Sequence, residues 1–263
     1  MEKNRVRQLL EAGQPVFGTF NWLTGPECVE IMGAAGFDFV VIDMEHGPHG
    51  QDAIPNLLRA ADAAGVVPIV RVTKNEPTLI LRSLDLGARG LHIPQVNTAA
   101  EAAAVVKAAR YWPLGERGFA PGTRAARFGS LSTEEYIVRA NADPLLIIHI
   151  ENKLGVENLD EILAVPGIDV IFIGPADLSQ SLGIPGKLGD PRVIELVDTT
   201  IDKAKKAGRP VGIFALDAED AARWVRAGVT YIALGADSFF LFNGAKALVE
   251  KLAPIRNKSA ALQ

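Results

Sequence analysis

A chain of 263 residues, 48% hydrophobic and 22% charged, can bury a sizeable core and has the length of one α/β barrel or of two small domains. Its net charge of -4 excludes the basic face of a nucleic-acid or anionic-membrane binder, and its single cysteine, Cys28, excludes an internal disulfide. The charged start MEKNRVRQLLEAGQP lacks the apolar core of a secretory signal, and no apolar run reaches the roughly 18 residues that span a bilayer, so a cytoplasmic protein is expected.

Short apolar runs rich in β-branched residues alternate with segments of helical period. VFGTF (16–20) precedes PECVEIMGAAG, where Pro26 suits a first turn and Gly36 an end. DFVVI (38–42) precedes QDAIPNLLRAADAAG, ending at Gly65, and VPIVR (67–71) precedes EPTLILRSLDLG, ending at Gly87. RGLHI (89–93) precedes TAAEAAAVVKAAR, in which Thr98 and Glu101 have capping-box spacing. The segment WPLGERGFAPGTRAARFGS (112–130) has no regular pattern; a loop of that length is expected to be a functional lid or a subunit contact. LLIIHI (145–150) and DVIFI (169–173) follow, then DPRVIELVDTTIDKAKKAG, PVGIF (210–214), DAEDAARWVRAG, and YIALG (231–235). The tail after about Ala253 is expected to fray.

Strands apolar on both faces, each leading into a helix closed by glycine, predict a parallel sheet. Eight repeats predict a single (β/α)8 barrel domain over 1–263. The alternative is an open doubly wound sheet. That fold usually has a glycine-rich phosphate loop after its first strand, and NWLTGPE is not one.

In such a barrel the chemistry sits just past the C-terminal strand ends. There the sequence places Asp43-Met44-Glu45-His46, Arg71, Pro94-Gln95, His149-Ile150-Glu151, Gly174-Pro175-Ala176-Asp177 and Gly235-Ala236-Asp237. Glu151 and Asp177, from neighbouring strand ends, can converge on a hard octahedral cation such as Mg²⁺ or Mn²⁺. Either acid could instead cap a helix or pair with a lysine. Zinc fits less well, because Cys28 is expected away from the rim and the histidines lack closed-site spacing. His46 is the natural general base, with Asp43 as its orienting carboxylate, although it could simply bond a loop. Arg71, ending a buried strand, suits a substrate oxyanion or a structural pair with an acid such as Glu45. The glycine at Gly174 and the helix start after it suit a small carboxylate. A Schiff-base mechanism needs a lysine inside the barrel; DVIFI has none, and Lys74 and Lys153 are expected at the surface. The seventh and eighth strands lack a paired-glycine phosphate cradle, which argues against a phosphorylated substrate.

VVIDMEHGP, PIVRV, YWPLGERG, IENKLGVENLDEIL and IDVIFIGPADLSQSLG resemble the HpcH/HpaI aldolase family, the class II pyruvate aldolases, with similarity from about Gly18 to Phe240. The resemblance implies a barrel whose last helix swaps between subunits of a homo-hexamer, a trimer of dimers. It implies Glu151 and Asp177 as ligands of Mg²⁺, Mn²⁺ or Co²⁺, with pyruvate chelating through its carboxylate and keto oxygen. It gives the Ala176 and Asp177 backbone to the substrate carboxylate and Arg71 to the enolate oxygen. It makes His46 the base, partnered by Asp43, with Asp85 raising its basicity. Trp22 and Phe214 fall where the family contacts the aldehyde, although simple packing serves them as well. Many relatives carry a substrate-contacting glutamine where this chain has His149, so His149 is expected at the substrate and its effect falls on preference. MEHGPHG and GFAPGTRAARFG look closer to the branch acting on sugar-acid-derived substrates than to the heptanedioate branch.

The implied reaction is reversible retro-aldol cleavage of a 4-hydroxy-2-oxo (2-keto-3-deoxy) acid to pyruvate and an aldehyde, through a metal-stabilised pyruvate enolate. The rivals are a CoA-ester lyase, an oxaloacetate decarboxylase, a cyclising synthase, and a non-catalytic keto-acid-binding barrel. No basic groove for a CoA nucleotide is evident, and the intact set of Glu151, Asp177, His46 and Arg71 argues against a non-catalytic barrel.

Overall fold

The computed structural model describes residues 3–260. Eight parallel strands close into a barrel in sequence order: β1 (Val16–Asn21), β2 (Phe39–Asp43), β3 (Val67–Arg71), β4 (Gly90–Ile93), β5 (Leu145–Ile150), β6 (Val170–Ile173), β7 (Val211–Ala215) and β8 (Tyr231–Ala236). β8 pairs with β1 to complete the ring, so no described strand is left with an open edge and the open-sheet alternative fails.

The helices expected after the strands form: α2 (Pro26–Ala34), α3 (Ile54–Ala64), α4 (Pro77–Asp85), α5 (Ala99–Ala109), α10 (Pro191–Lys206) and α11 (Ala218–Arg226). Local chemistry sets their ends. Thr98 and Glu101 make both bonds of the capping box at α5. Gly65, at φ 71°, takes the left-handed conformation that stops α3. The sequence reading gives the start of α9 (Pro175–Ser181) but omits α1 (Arg5–Glu11), α6 (Thr133–Ala142), α7 (Lys153–Glu157) and α8 (Leu159–Leu163), three of which are short. Length hides them: five to seven residues hold too few turns to show a period.

Strand residues alternate between two cores, although the sequence runs look uniformly apolar. Phe39, Val41, Val67, Ile69, Leu145, Ile147, Val170, Phe172, Tyr231 and Ala233 fill the barrel interior. Val40, Ile42, Val70, Leu91, Leu146, Ile148, Ile171, Ile173, Ile213 and Ile232 pack outward with the helices. The same alternation carries Asp43, Arg71, His149 and Glu151 to the inner side at the upper rim, two residues beyond interior positions.

One expectation needs correction. Segment 112–130 is anchored to the lower ends of α3 and α4: the Ala125 N–H donates to the Asp85 carbonyl, Arg124 bonds the Leu86 carbonyl and pairs with Asp62, and Arg117 pairs with Asp85. Those helices run back from the rim, so the segment covers the opposite end and is no lid over this chain's own site. The last helix, α12 (Asp237–Ala260), continues through Pro254.

Candidate active site

Asp43 and Arg71 are neighbours in register on β2 and β3. Arg71 Nε donates to Asp43 Oδ1 at 2.7 Å, Nη2 bonds Oδ2, and Nη1 pairs with Glu45 at 3.1 Å. The guanidinium also lies 4.8 Å from the centre of the Phe20 ring. Asp43 is fully buried, and its Oδ1 accepts the backbone N–H groups of Glu45 (2.9 Å) and His46 (3.3 Å) while Oδ2 accepts the Trp22 indole N–H (2.6 Å). Burial pushes the Asp43 carboxyl upward, but its bonds to Arg71, Glu45 and Trp22 win and hold it below the ordinary value. Asp43 therefore orients the backbone at His46 rather than its imidazole, which is exposed.

Glu45 is a residue the sequence reading treated only as a pairing acid. Burial above all, with the Glu151 and Asp43 charges adding and Arg71 and His46 opposing, lifts its carboxyl to about 7. A carboxyl titrating there can hold or release a proton near neutral pH.

Glu151 is buried at the end of β5. Its Oε1 accepts the Gln95 backbone N–H at 2.7 Å and its Oε2 accepts from His149 Nδ1 at 3.1 Å. Burial opposes ionisation, and these two donors overcome it, keeping the carboxylate charged at neutral pH. Gln95 makes its bond from a left-handed conformation, φ 55°, which costs a non-glycine residue about 1 kcal/mol.

Asp177 projects from the first turn of α9. Burial and then the Glu151 charge push its pKa upward, with His46 and Arg71 among the opposing charges, so the two carboxylates feel each other. Gly174 shows where they meet. A Cβ built there would lie 3.1 Å from Glu151 Oε2 and 3.5 Å from Asp177 Oδ2. Two acids sharing a space kept clear by glycine form a donor set that fits one hard divalent cation. Among the described residues no group of three or more His, Cys, Asp or Glu gathers into a ligand set, so closed zinc coordination is not offered. The N–H groups of Ala176 and Asp177, in the first turn of α9, have no intrahelical acceptor.

Three residues lie elsewhere than expected. His149 is 1% exposed, and both its ring nitrogens are engaged, by Glu151 and by His92, so it backs the carboxylate rather than meeting substrate. Asp85 ends α4 at the far end of the barrel, paired with Arg117, and within one chain it does not join His46. Cys28 lies in the first turn of α2, near enough to Asp237 for that charge to add to burial in raising the thiol, so it is at the rim after all. Trp22 and Phe214 are half-buried against the interior core, where Phe20 lies 6.4 Å and 6.0 Å from their rings. No described lysine is buried, which removes the Schiff-base alternative for the described residues.

A closed parallel barrel with two carboxylates, a paired arginine and an imidazole at its C-terminal rim is the architecture of a barrel enzyme. The family profile of HpcH/HpaI aldolase/citrate lyase matches residues 17–244, and the chain belongs to that family. A 5-keto-4-deoxy-D-glucarate aldolase of Salmonella paratyphi A is 38% identical over 234 residues, covering 89% of this chain and 91% of the relative. A crystal structure of an HpcH/HpaI aldolase/citrate lyase family protein from Burkholderia cenocepacia superposes with a TM-score of 0.90 at 36% identity, covering 95% of this chain and 99% of that one. The structure of the citrate synthase SbnG superposes at 0.87 with 34% identity, covering 98% and 100%. The protein is an aldolase, a carbon–carbon lyase acting on small molecules.

Proposed function

We propose that the protein cleaves a sugar-acid-derived 4-hydroxy-2-oxo acid reversibly to pyruvate and an aldehyde, with a divalent cation held by Glu151 and Asp177. The observation that carries this reading is the meeting of those carboxylates over Gly174, beside His46 and Arg71. Similarity to a glucarate-derived aldolase supports the substrate class.

The cation, when bound, draws electron density from the keto oxygen and leaves open positions for substrate oxygens. The first-turn N–H groups at Ala176 and Asp177 face the substrate carboxylate, where a helix start favours negative charge. His46 takes the proton of the C4 hydroxyl. The C3–C4 bond then breaks, its electron pair passes to the enolate of pyruvate, and the aldehyde leaves past Trp22 and Phe214. Arg71, fixed on two sides by Asp43 and Glu45, keeps its charge against the enolate oxygen. The proton held by His46 is then delivered to C3, which gives pyruvate and restores the base. Synthesis reverses the order.

α12 supports assembly with further copies. Leu241, Phe242, Leu248, Val249 and Leu252 are all exposed on this helix. A lone helix does not keep such a surface in water, so we assign it to a neighbouring subunit in a homo-hexamer. Trp112 and Phe128, exposed on segment 112–130, extend the apolar surface available for that contact. No described helix is long and apolar enough to cross a membrane, and a cytoplasmic site of action suits the reading.

The decisive experiment follows pyruvate release from a 4-hydroxy-2-oxo acid by a coupled assay, after EDTA and after Mg²⁺ or Mn²⁺ is restored. Activity is expected to vanish with EDTA, return with the cation, and stay absent in Glu151→Ala. Activity indifferent to EDTA overturns the reading.

A further inference from the structure

Below Glu151, three polar side chains run into the barrel interior, where apolar residues are the rule. Glu151 Oε2 meets His149 Nδ1 at 3.1 Å, His149 Nε2 meets His92 Nδ1 at 2.8 Å, and His92 Nε2 meets the Tyr231 hydroxyl at 2.9 Å. His149 is 1% exposed, and His92 and Tyr231 are wholly buried. The three belong to β5, β4 and β8, so the chain crosses the barrel.

Counting protons fixes its direction. A neutral imidazole has one N–H and one lone pair. The Glu151 carboxylate can only accept, so His149 Nδ1 carries a proton. If His149 Nε2 carried a second, His92 Nδ1 would accept it, His92 Nε2–H would donate to the Tyr231 oxygen, and the tyrosine proton would be stranded. Among the described residues no other partner is recorded for that hydroxyl. A buried O–H without an acceptor is costly, and so is an imidazolium in an apolar barrel. The opposite order strands nothing: Tyr231 O–H donates to His92 Nε2, His92 Nδ1–H to His149 Nε2, and His149 Nδ1–H to Glu151. Burial above all, with the Arg71 charge adding, holds His92 in its neutral form, and burial keeps the Tyr231 proton in place.

Aromatic neighbours hold the rings. Phe172 stacks on His149 at 4.8 Å and 29° and meets His92 at 4.9 Å and 62°, and Phe39 stacks on Tyr231 at 4.2 Å. Gly18 and Gly212 leave room: a Cβ on Gly18 would fall 2.2 Å from the Phe39 ring, and one on Gly212 would fall 3.0 Å from the Tyr231 ring.

We propose that His92 and Tyr231 are positioning residues, which impose the Nδ1–H tautomer on His149 through a one-directional hydrogen-bond chain and so aim Glu151 Oε2. With the Gln95 N–H on Oε1, each Glu151 oxygen is tied once and keeps a lone pair for a cation. The inference rests on the proposed cation-binding role of Glu151.

The test has a part that needs no cation. Nitrogen-15 NMR of the EDTA-treated protein reads the tautomers directly: both histidines are expected with Nδ1 protonated and Nε2 bare. Calorimetry with Mn²⁺ then reads affinity. Tyr231→Phe and His92→Phe are expected to weaken Mn²⁺ binding by roughly 10-fold, the usual effect of losing a partner behind a metal ligand. His149→Gln, whose amide still donates to Glu151 and accepts from His92, is expected to keep Mn²⁺ affinity within about 3-fold, whereas His149→Leu loses it. Nε2–H rings, or a doubly protonated His149, overturn the proposal. So does a Tyr231→Phe protein that melts earlier yet keeps its Mn²⁺ affinity and tautomers, since that marks a packing role. Mn²⁺ binding unchanged in Glu151→Ala sinks the cation reading instead, and the tautomer result still stands on its own.

Discussion

Glu45 carries the sharpest pH signature of any single residue in the site. Its carboxyl, ordinarily at 4.5, is lifted to about 7 when the chain folds, so the folded protein binds that proton more tightly than the unfolded one. The associated stability is fully present below 4.5 and is lost as pH rises through 7. In EDTA-treated protein, denaturant titrations should show wild type losing about 1–3 kcal/mol more than Glu45→Gln across that interval. An identical slope in the two proteins rules the shift out. Gln95 offers a test of backbone strain. Gln95→Gly keeps the N–H that holds Glu151 and removes the cost of φ 55°, so unfolding free energy should stay level or rise by up to about 1 kcal/mol, whereas Gln95→Val should lower it. Asp43, Arg71, Glu151 and Asp177 were legible in the sequence because strand ends in a barrel are where reactive groups gather. Glu45 was legible only as a partner for Arg71, because its raised pKa comes from burial that the sequence does not show. His92 was hidden in RGLHI, where one imidazole in an apolar run reads as ordinary packing. Two-residue counting would have exposed it: His92 shares the inner face with Gly90, as His149 does with Ile147.

The strands and their order could be read from periodicity, because eight apolar runs of strand length alternate with helices that end on glycine. Which strand face looks inward could not, because both faces of a parallel barrel strand are buried and apolar. Register supplies that information, and the glycines show how tightly it binds. Gly174, between β6 and α9, is the position where an added methyl enters the space shared by Glu151 and Asp177. Its φ of -104° is open to any residue, but an added Cβ would fall 2.8 Å from the Glu151 Cβ, so Gly174→Ala should fold with Glu151 displaced and a lowered melting temperature. Cation affinity measured by calorimetry should fall at least 10-fold, because the methyl crowds the Glu151 side chain. Unaltered affinity would place the cation elsewhere. The short helices α7 and α8 escaped the sequence reading for a local reason: Asn152 caps α7, and α8 follows directly from Asn158, so no stretch shows a sustained amphipathic period.

At the scale of the molecule, α12 is the element whose surface a single chain does not explain. Leu241→Asp combined with Phe242→Asp should shift sedimentation toward the monomer while the circular dichroism of the barrel stays intact, because both side chains are exposed in the isolated chain and contribute nothing to its core. A wild-type protein that sediments as a monomer removes the basis for assembly through this face. At its first residue α12 also takes part in closing the barrel. The Asp237 carboxylate accepts the Asn21 amide at 2.6 Å, the backbone N–H groups of Trp22 and Leu23, and that of Ser238. Asn21 ends the first strand and Asp237 follows the eighth, so one side chain acts as the clasp of the ring. The seam it fastens runs up to Trp22, whose backbone N–H bonds the same carboxylate. The bonds that join the first strand to the last are thus the same bonds that fix the backbone at Trp22, and the closure of the ring and the shape of the rim depend on one carboxylate.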